Sequence, residues 1–83
     1  MDLTGNHIRA ARALLGMDQE TLAEKAGISV GTVKNMEATG LGPVGGFASR
    51  RDSVRAALER AGIEFTNGDS PGVRLVKGKA KRR

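Results

Sequence analysis

The most specific chemistry in this 83-residue chain lies between Val30 and Asn35, within ISVGTVKNMEATG. At about 100° per residue, Val30, Gly31, Lys34 and Asn35 share one face of a predicted helix, roughly opposite Val33, Met36 and Glu37. Lys34 brings three ammonium donors, and Asn35 brings an amide that donates and accepts in one plane. Val30 adds methyl groups, and Gly31 leaves the backbone bare. Such a face is suited to contact and hydrogen-bonded recognition, not to bond making. Catalytic chemistry has little to work with elsewhere. His7 is the only histidine, reads as a surface residue early in a helix, and has no second ligand set near it for a metal. Ser29, Ser49, Ser53 and Ser70 have no base partner in the sequence. GLGPVGG lacks the preceding strand and the GK[ST] ending of a phosphate cradle, and reads as a flexible loop. The expectation is a protein that is not an enzyme, with no cofactor and no metal.

The elements that position this face must be assembled from little material. The length allows one domain at most, near the lower limit for a self-sufficient core. There is no Cys, so neither disulfides nor thiolate metal sites can compensate. Two Phe are the only aromatic residues, so the core should be thin, and burial in a homodimer would supplement it. The net charge of +5 is uneven: from Arg74 onward six basic residues stand without an acid, while residues 1–73 hold eight basic and nine acidic ones. The high pI therefore belongs to the tail, which attracts polyanions in general, whether DNA, RNA or an acidic membrane surface. No run approaches the roughly 20 apolar residues of a membrane span, and MDLTGNHIRA lacks a signal-peptide layout. A soluble, cytoplasmic protein is expected.

Helical spacing predicts a first helix over about Asn6 to Leu15, with Thr4 as cap and Ile8, Ala11, Leu14 and Leu15 on its apolar stripe. Asp18 caps a second over Gln19 to Ala26, with Leu22, Ala23 and Ala26 inward. Gly27 suits the left-handed position that ends it. Ser29 caps a third, running to about Ala38. Thr39 to Ala48 reads as a loop. Ser49 with Asp52 resembles a capping box for a fourth helix, Arg50 to Ala61. After Gly62 the period changes from 3.6 to 2, and the runs flanking NGDSPG predict a β-hairpin over 63–76. A lone hairpin must pack on the helices or pair with another chain; pairing across a two-fold axis is the favoured expectation. The organisation is then a helical domain over 1–62, a hairpin over 63–76 as dimerisation element, and a disordered basic tail over 77–83.

IRAARALLGMDQETLAEKAGISVGTVKNMEATG resembles the Cro/repressor-type (XRE-like) helix-turn-helix family of prokaryotic and phage transcriptional regulators. The resemblance lies in Leu15-Gly16, the Gln after the Asp18 cap, LAEKAGIS across the turn, and Val33, Met36 and Glu37. It covers roughly residues 7–40. It implies a mainly α, lambda-repressor-like domain of four helices, here followed by a hairpin where the family usually adds a fifth helix. It also implies a partner for the inward carboxylate of Glu37, namely Arg12.

In such a motif the second of the paired helices enters the major groove of double-stranded DNA. Val30, Gly31, Lys34 and Asn35 would then read base edges: Asn35 adenine, Lys34 guanine or a phosphate, Val30 a thymine methyl. The family position of Gln19 typically holds a phosphate, and Ser29 and Thr32 are further phosphate candidates. Arg50 and Arg51 oppose the dipole of their own helix, which an incoming phosphate would explain. The expected function is a homodimeric repressor on an inverted repeat, nucleoid-associated when bound. A protein-interaction module on the same fold, such as an antiactivator or antitoxin, remains the alternative, and nonspecific binding through the tail is a third.

Overall fold

The computed structural model describes residues 3–44, 48–66 and 70–76. Four helices, α1 (Gly5–Leu15), α2 (Gln19–Ala26), α3 (Val30–Glu37) and α4 (Ala48–Arg60), precede an antiparallel pair, β1 (Ile63–Thr66) and β2 (Gly72–Leu75). This is the mainly α order predicted from the sequence. The first three helices start where their capping residues stand. The side chains of Thr4, Asp18 and Ser29 accept the backbone N–H groups of His7 (3.2 Å), Thr21 (2.7 Å) and Thr32 (3.1 Å). A cap stabilises by about 1 kcal/mol, a large contribution for α2 and α3, which at eight residues each could not persist alone. Gly27 closes α2 at φ 71°, a conformation that penalises any Cβ, so only Ile28 separates it from the Ser29 cap of α3.

Among the described residues, the largest fully buried side chains are Ile8, Leu22, Val33, Val54, Leu58 and Ile63, one or more from every helix and one from the hairpin. The register pairs Ile63 with Leu75 and Phe65 with Val73, and Phe65, Val73 and Leu75 pack half-buried against the helical core. The hairpin thus lays its apolar face on α1 and α4. Its other face carries Glu64 and Arg74, paired across the strands at 2.7 Å. The support that a lone hairpin needs comes from within the chain.

Several local expectations are corrected. Leu14 is 46 % exposed, because Ile8, Ala11, Arg12 and Leu15 form the inward row of α1 and Leu14 stands one residue off it. Helix α4 begins at Ala48, so Ser49 lies inside it and its carbonyl accepts the Ser53 hydroxyl instead of the side chain acting as cap. The glycine-rich segment is held at its start and middle: Val44 donates its N–H to the carbonyl of Leu3 (2.8 Å), both side chains are buried, and Pro43 bridges to Thr4. Gly45, Gly46 and Phe47, the hairpin tip at 67–69 and the basic tail over 77–83 lie outside the described residues.

The start of α1 is pressed against the end of α3. Gly5 donates its N–H to Thr39 Oγ1 (2.9 Å), and Asn6 donates to the carbonyl of Gly40 (2.9 Å). A Cβ on Gly5 would stand 2.5 Å from the carbonyl oxygen of Glu37 and 2.7 Å from that of Met36. Backbone atoms cannot yield cheaply. Gly5→Ala is therefore expected to cost about 1–3 kcal/mol, read by urea or thermal unfolding; a variant as stable as the parent would overturn this account of the contact.

Candidate nucleic-acid interface

Helix α3 buries Val33, Met36 and Glu37 and leaves Gly31, Lys34 and Asn35 exposed. Val30, expected on the outward face, is half-buried and packs partly against the core, so only part of its side chain faces outward. At the start of the helix, the hydroxyls of Ser29 and Thr32 bond each other at 2.9 Å. In the first turn of α4, Arg50 is exposed and Arg51 half-buried.

What sets the angle of α3 is the carboxylate of Glu37, 5 % exposed. The Arg12 guanidinium grips it with a fork, Nε donating to Oε2 (2.6 Å) and Nη2 to Oε1 (3.0 Å). Its third nitrogen, Nη1, donates to the carbonyl of Met17 (2.9 Å). The resemblance implied this pair. It did not supply the next donor, Gln19, whose Nε2 reaches Glu37 Oε1 at 2.9 Å. One carboxylate therefore fastens α1, α2 and α3 together. Burial alone would raise the pKa of Glu37, but the bonds from Arg12 and Gln19, with the charges of Arg12 and Arg9, hold it below the usual carboxylate range. Gln19 has one of its amide hydrogens committed inside the domain, which leaves its carbonyl and second N–H for an outside partner.

His7 is not at the surface. It is 5 % exposed, and its Nδ1 accepts the backbone N–H of Thr4 at 3.1 Å. It thereby completes a reciprocal capping box in which His stands where Glu or Gln is usual. An accepting Nδ1 places the ring proton on Nε2, which meets no acceptor among the described residues. The neighbouring ring of Phe65 stands edge-on, with centroids 6.0 Å apart. Burial lowers the His7 pKa from its ordinary 6.5.

A capped two-turn helix, a three-residue turn built on Gly27, and a second capped helix with a polar outward face constitute a DNA-binding regulatory domain of the helix-turn-helix class. Residues 8–38 match the model of the helix-turn-helix family, from Ile8 on α1 to the residue after α3. This match supports a Cro/repressor-type (XRE-like) helix-turn-helix for that segment, which the described structure follows with α4 and a hairpin. That family consists of DNA-binding regulatory domains, not enzymes. A comparison with curated proteins returns no match. Among the described residues, no group of acidic and histidine side chains could hold a metal ion, and no helix is long and apolar enough to cross a membrane.

Two stability predictions follow from the buried polar groups. Glu37→Ala leaves Arg12 and Gln19 facing an empty position and should cost about 3 kcal/mol; an unchanged melting temperature would sink the three-helix account. The depressed pKa of Glu37 adds stability that is complete above its unfolded value and is lost as pH falls through the folded one. His7 acts in the same direction at higher pH. Its folded pKa lies below 6.5, so its contribution is full above that value and fades as pH drops beneath it. Urea unfolding at pH 7.5 and 5.5 should show a loss in the parent that is smaller in His7→Gln, which keeps a capping side chain without the titration.

Proposed function

We propose that this chain is a sequence-specific transcriptional regulator, a repressor that binds an inverted-repeat operator as a homodimer, with half-sites about one helical turn (~34 Å) apart. Gly31 carries the reading. Its backbone is ordinary right-handed helix, where Gly costs about 1 kcal/mol relative to Ala. A Cβ there would meet only Ser29 Oγ, at 3.9 Å. The described chain has no use for a bare backbone at this point, whereas a surface approaching from outside does. Beside it Asn35 pairs with adenine, the outward part of Val30 packs on a thymine methyl, and Lys34 donates to guanine or to a phosphate. Gln19, Ser29, Thr32, Arg50 and Arg51 contact the backbone. Repression by occupying the operator asks nothing of the chain beyond DNA binding, which is why it is favoured over activation.

The alternative, a module whose main partner is a protein, draws on Leu41, which stands 87 % exposed in the segment after α3. The same side chain serves a second copy of the chain equally well, so it does not separate the two readings, and the bare backbone at Gly31 favours the regulator.

Selection of bound duplexes from a random library tests the function directly: an inverted repeat supports the dimeric regulator, and no enrichment favours the protein partner. On the selected duplex, Asn35→Ala should relax preference at one base pair by roughly 1–3 kcal/mol. Gly31→Ala should raise stability by about 1 kcal/mol while weakening specific binding. A Gly31→Ala protein that binds as tightly as the parent removes the argument from close approach.

A further inference from the structure

We infer that an open bowl beside the reading face grips the DNA backbone, with Arg9 and Lys34 as its two working cations; this rests on the DNA-binding reading and extends it to a residue outside the helix-turn-helix pair. The bowl measures about 490 Å³ and is walled by Arg9, Arg12, Asp18, Gln19, Lys34 and Glu37. A water occupies ~30 Å³, so a phosphodiester enters easily. Most of the polar groups in the wall are committed. Arg12 is spent on Glu37 and on the carbonyl of Met17. Gln19 is bonded to Glu37, and the Asp18 carboxylate holds the N–H of Thr21.

Arg9 and Lys34 are different. Both are exposed, and the side chain of neither makes an ion pair or hydrogen bond with a described residue. They come from separate helices, α1 and α3, yet border one opening, and the charge of Arg9 is felt by Glu37 across it. With Arg12 matched to Glu37, these two cations face only the Asp18 carboxylate at the opening, which leaves it a net positive charge for an anion to meet. Lys34 also shares the outward face with Gly31 and Asn35. A helix that sets such a face on base edges has phosphates along its flanks, and the flank of α3 toward α1 is where this bowl opens. Lys34 then belongs to the backbone grip, leaving base reading to Val30, Gly31 and Asn35.

The test is the salt dependence of binding of the full chain to the selected duplex and to a scrambled one, followed by fluorescence anisotropy. Arg9→Gln and Lys34→Gln should each lower the slope of log affinity against log salt by about 1 and weaken both duplexes by the same factor. Lys25→Gln, at the opposite end of α2, should leave the slope unchanged. Unaltered thermal unfolding of the variants supports a direct effect on binding. An unchanged slope in Arg9→Gln overturns the proposal. So does a Lys34→Gln protein that loses preference at one base pair while retaining its affinity for the scrambled duplex. A parent protein that binds neither duplex overturns the DNA-binding reading, and this proposal with it.

Discussion

Everything in the domain that could read a surface hangs on one buried carboxylate. Helices of two turns have no orientation of their own, and α3 touches the rest of the chain along a narrow apolar row. Glu37 converts that row into a defined angle, because it accepts from α1 through Arg12 and from the first residue of α2 through Gln19. The arrangement is strict in a way that apolar packing is not. A methyl group tolerates sliding, but a fork of N–H donors around a carboxylate loses strength steeply when its geometry is disturbed.

The thin core explains why so much is asked of polar contacts. With two Phe and no Cys, the domain gathers its stability from small contributions: three helix caps, the reciprocal Thr4–His7 pair, and the hairpin laid over α1 and α4. Ile63 joins the buried set completely, which makes the hairpin part of the same core as the helices. Its outer face carries the solvent-exposed Glu64–Arg74 pair.

The elements were legible because their signals are local. Thr4, Asp18 and Ser29 announce helix starts within three residues of the groups they cap, and Gly27 announces the turn by itself. The change of period after Gly62 reveals the hairpin in the same way. What the sequence concealed is non-local. His7 is buried at 5 % exposure and meets the ring of Phe65, which the chain brings back in the hairpin. The need for glycine at position 5 comes from carbonyl oxygens at the end of α3. A buried carboxylate with lone pairs beyond those filled by one guanidinium calls for another donor, but nothing in the residue order says that Gln19 is the one. Of the outward face of α3, the exposure of Gly31, Lys34 and Asn35 was legible from periodicity, whereas the partial burial of Val30 and the convergence of Arg9 with Lys34 on one opening required three dimensions.

The open space over Gly31 separates two properties that proteins usually trade against each other. Most positions on an eight-residue helix cannot change without disturbing the packing that holds the helix in place. Here the backbone is regular and the neighbourhood open, so a Cβ added at this position meets nothing closer than ordinary contact distance. A side chain could be introduced at residue 31 without a steric conflict inside the domain, so the surface offered there can change while the packing of α3 stays as it is.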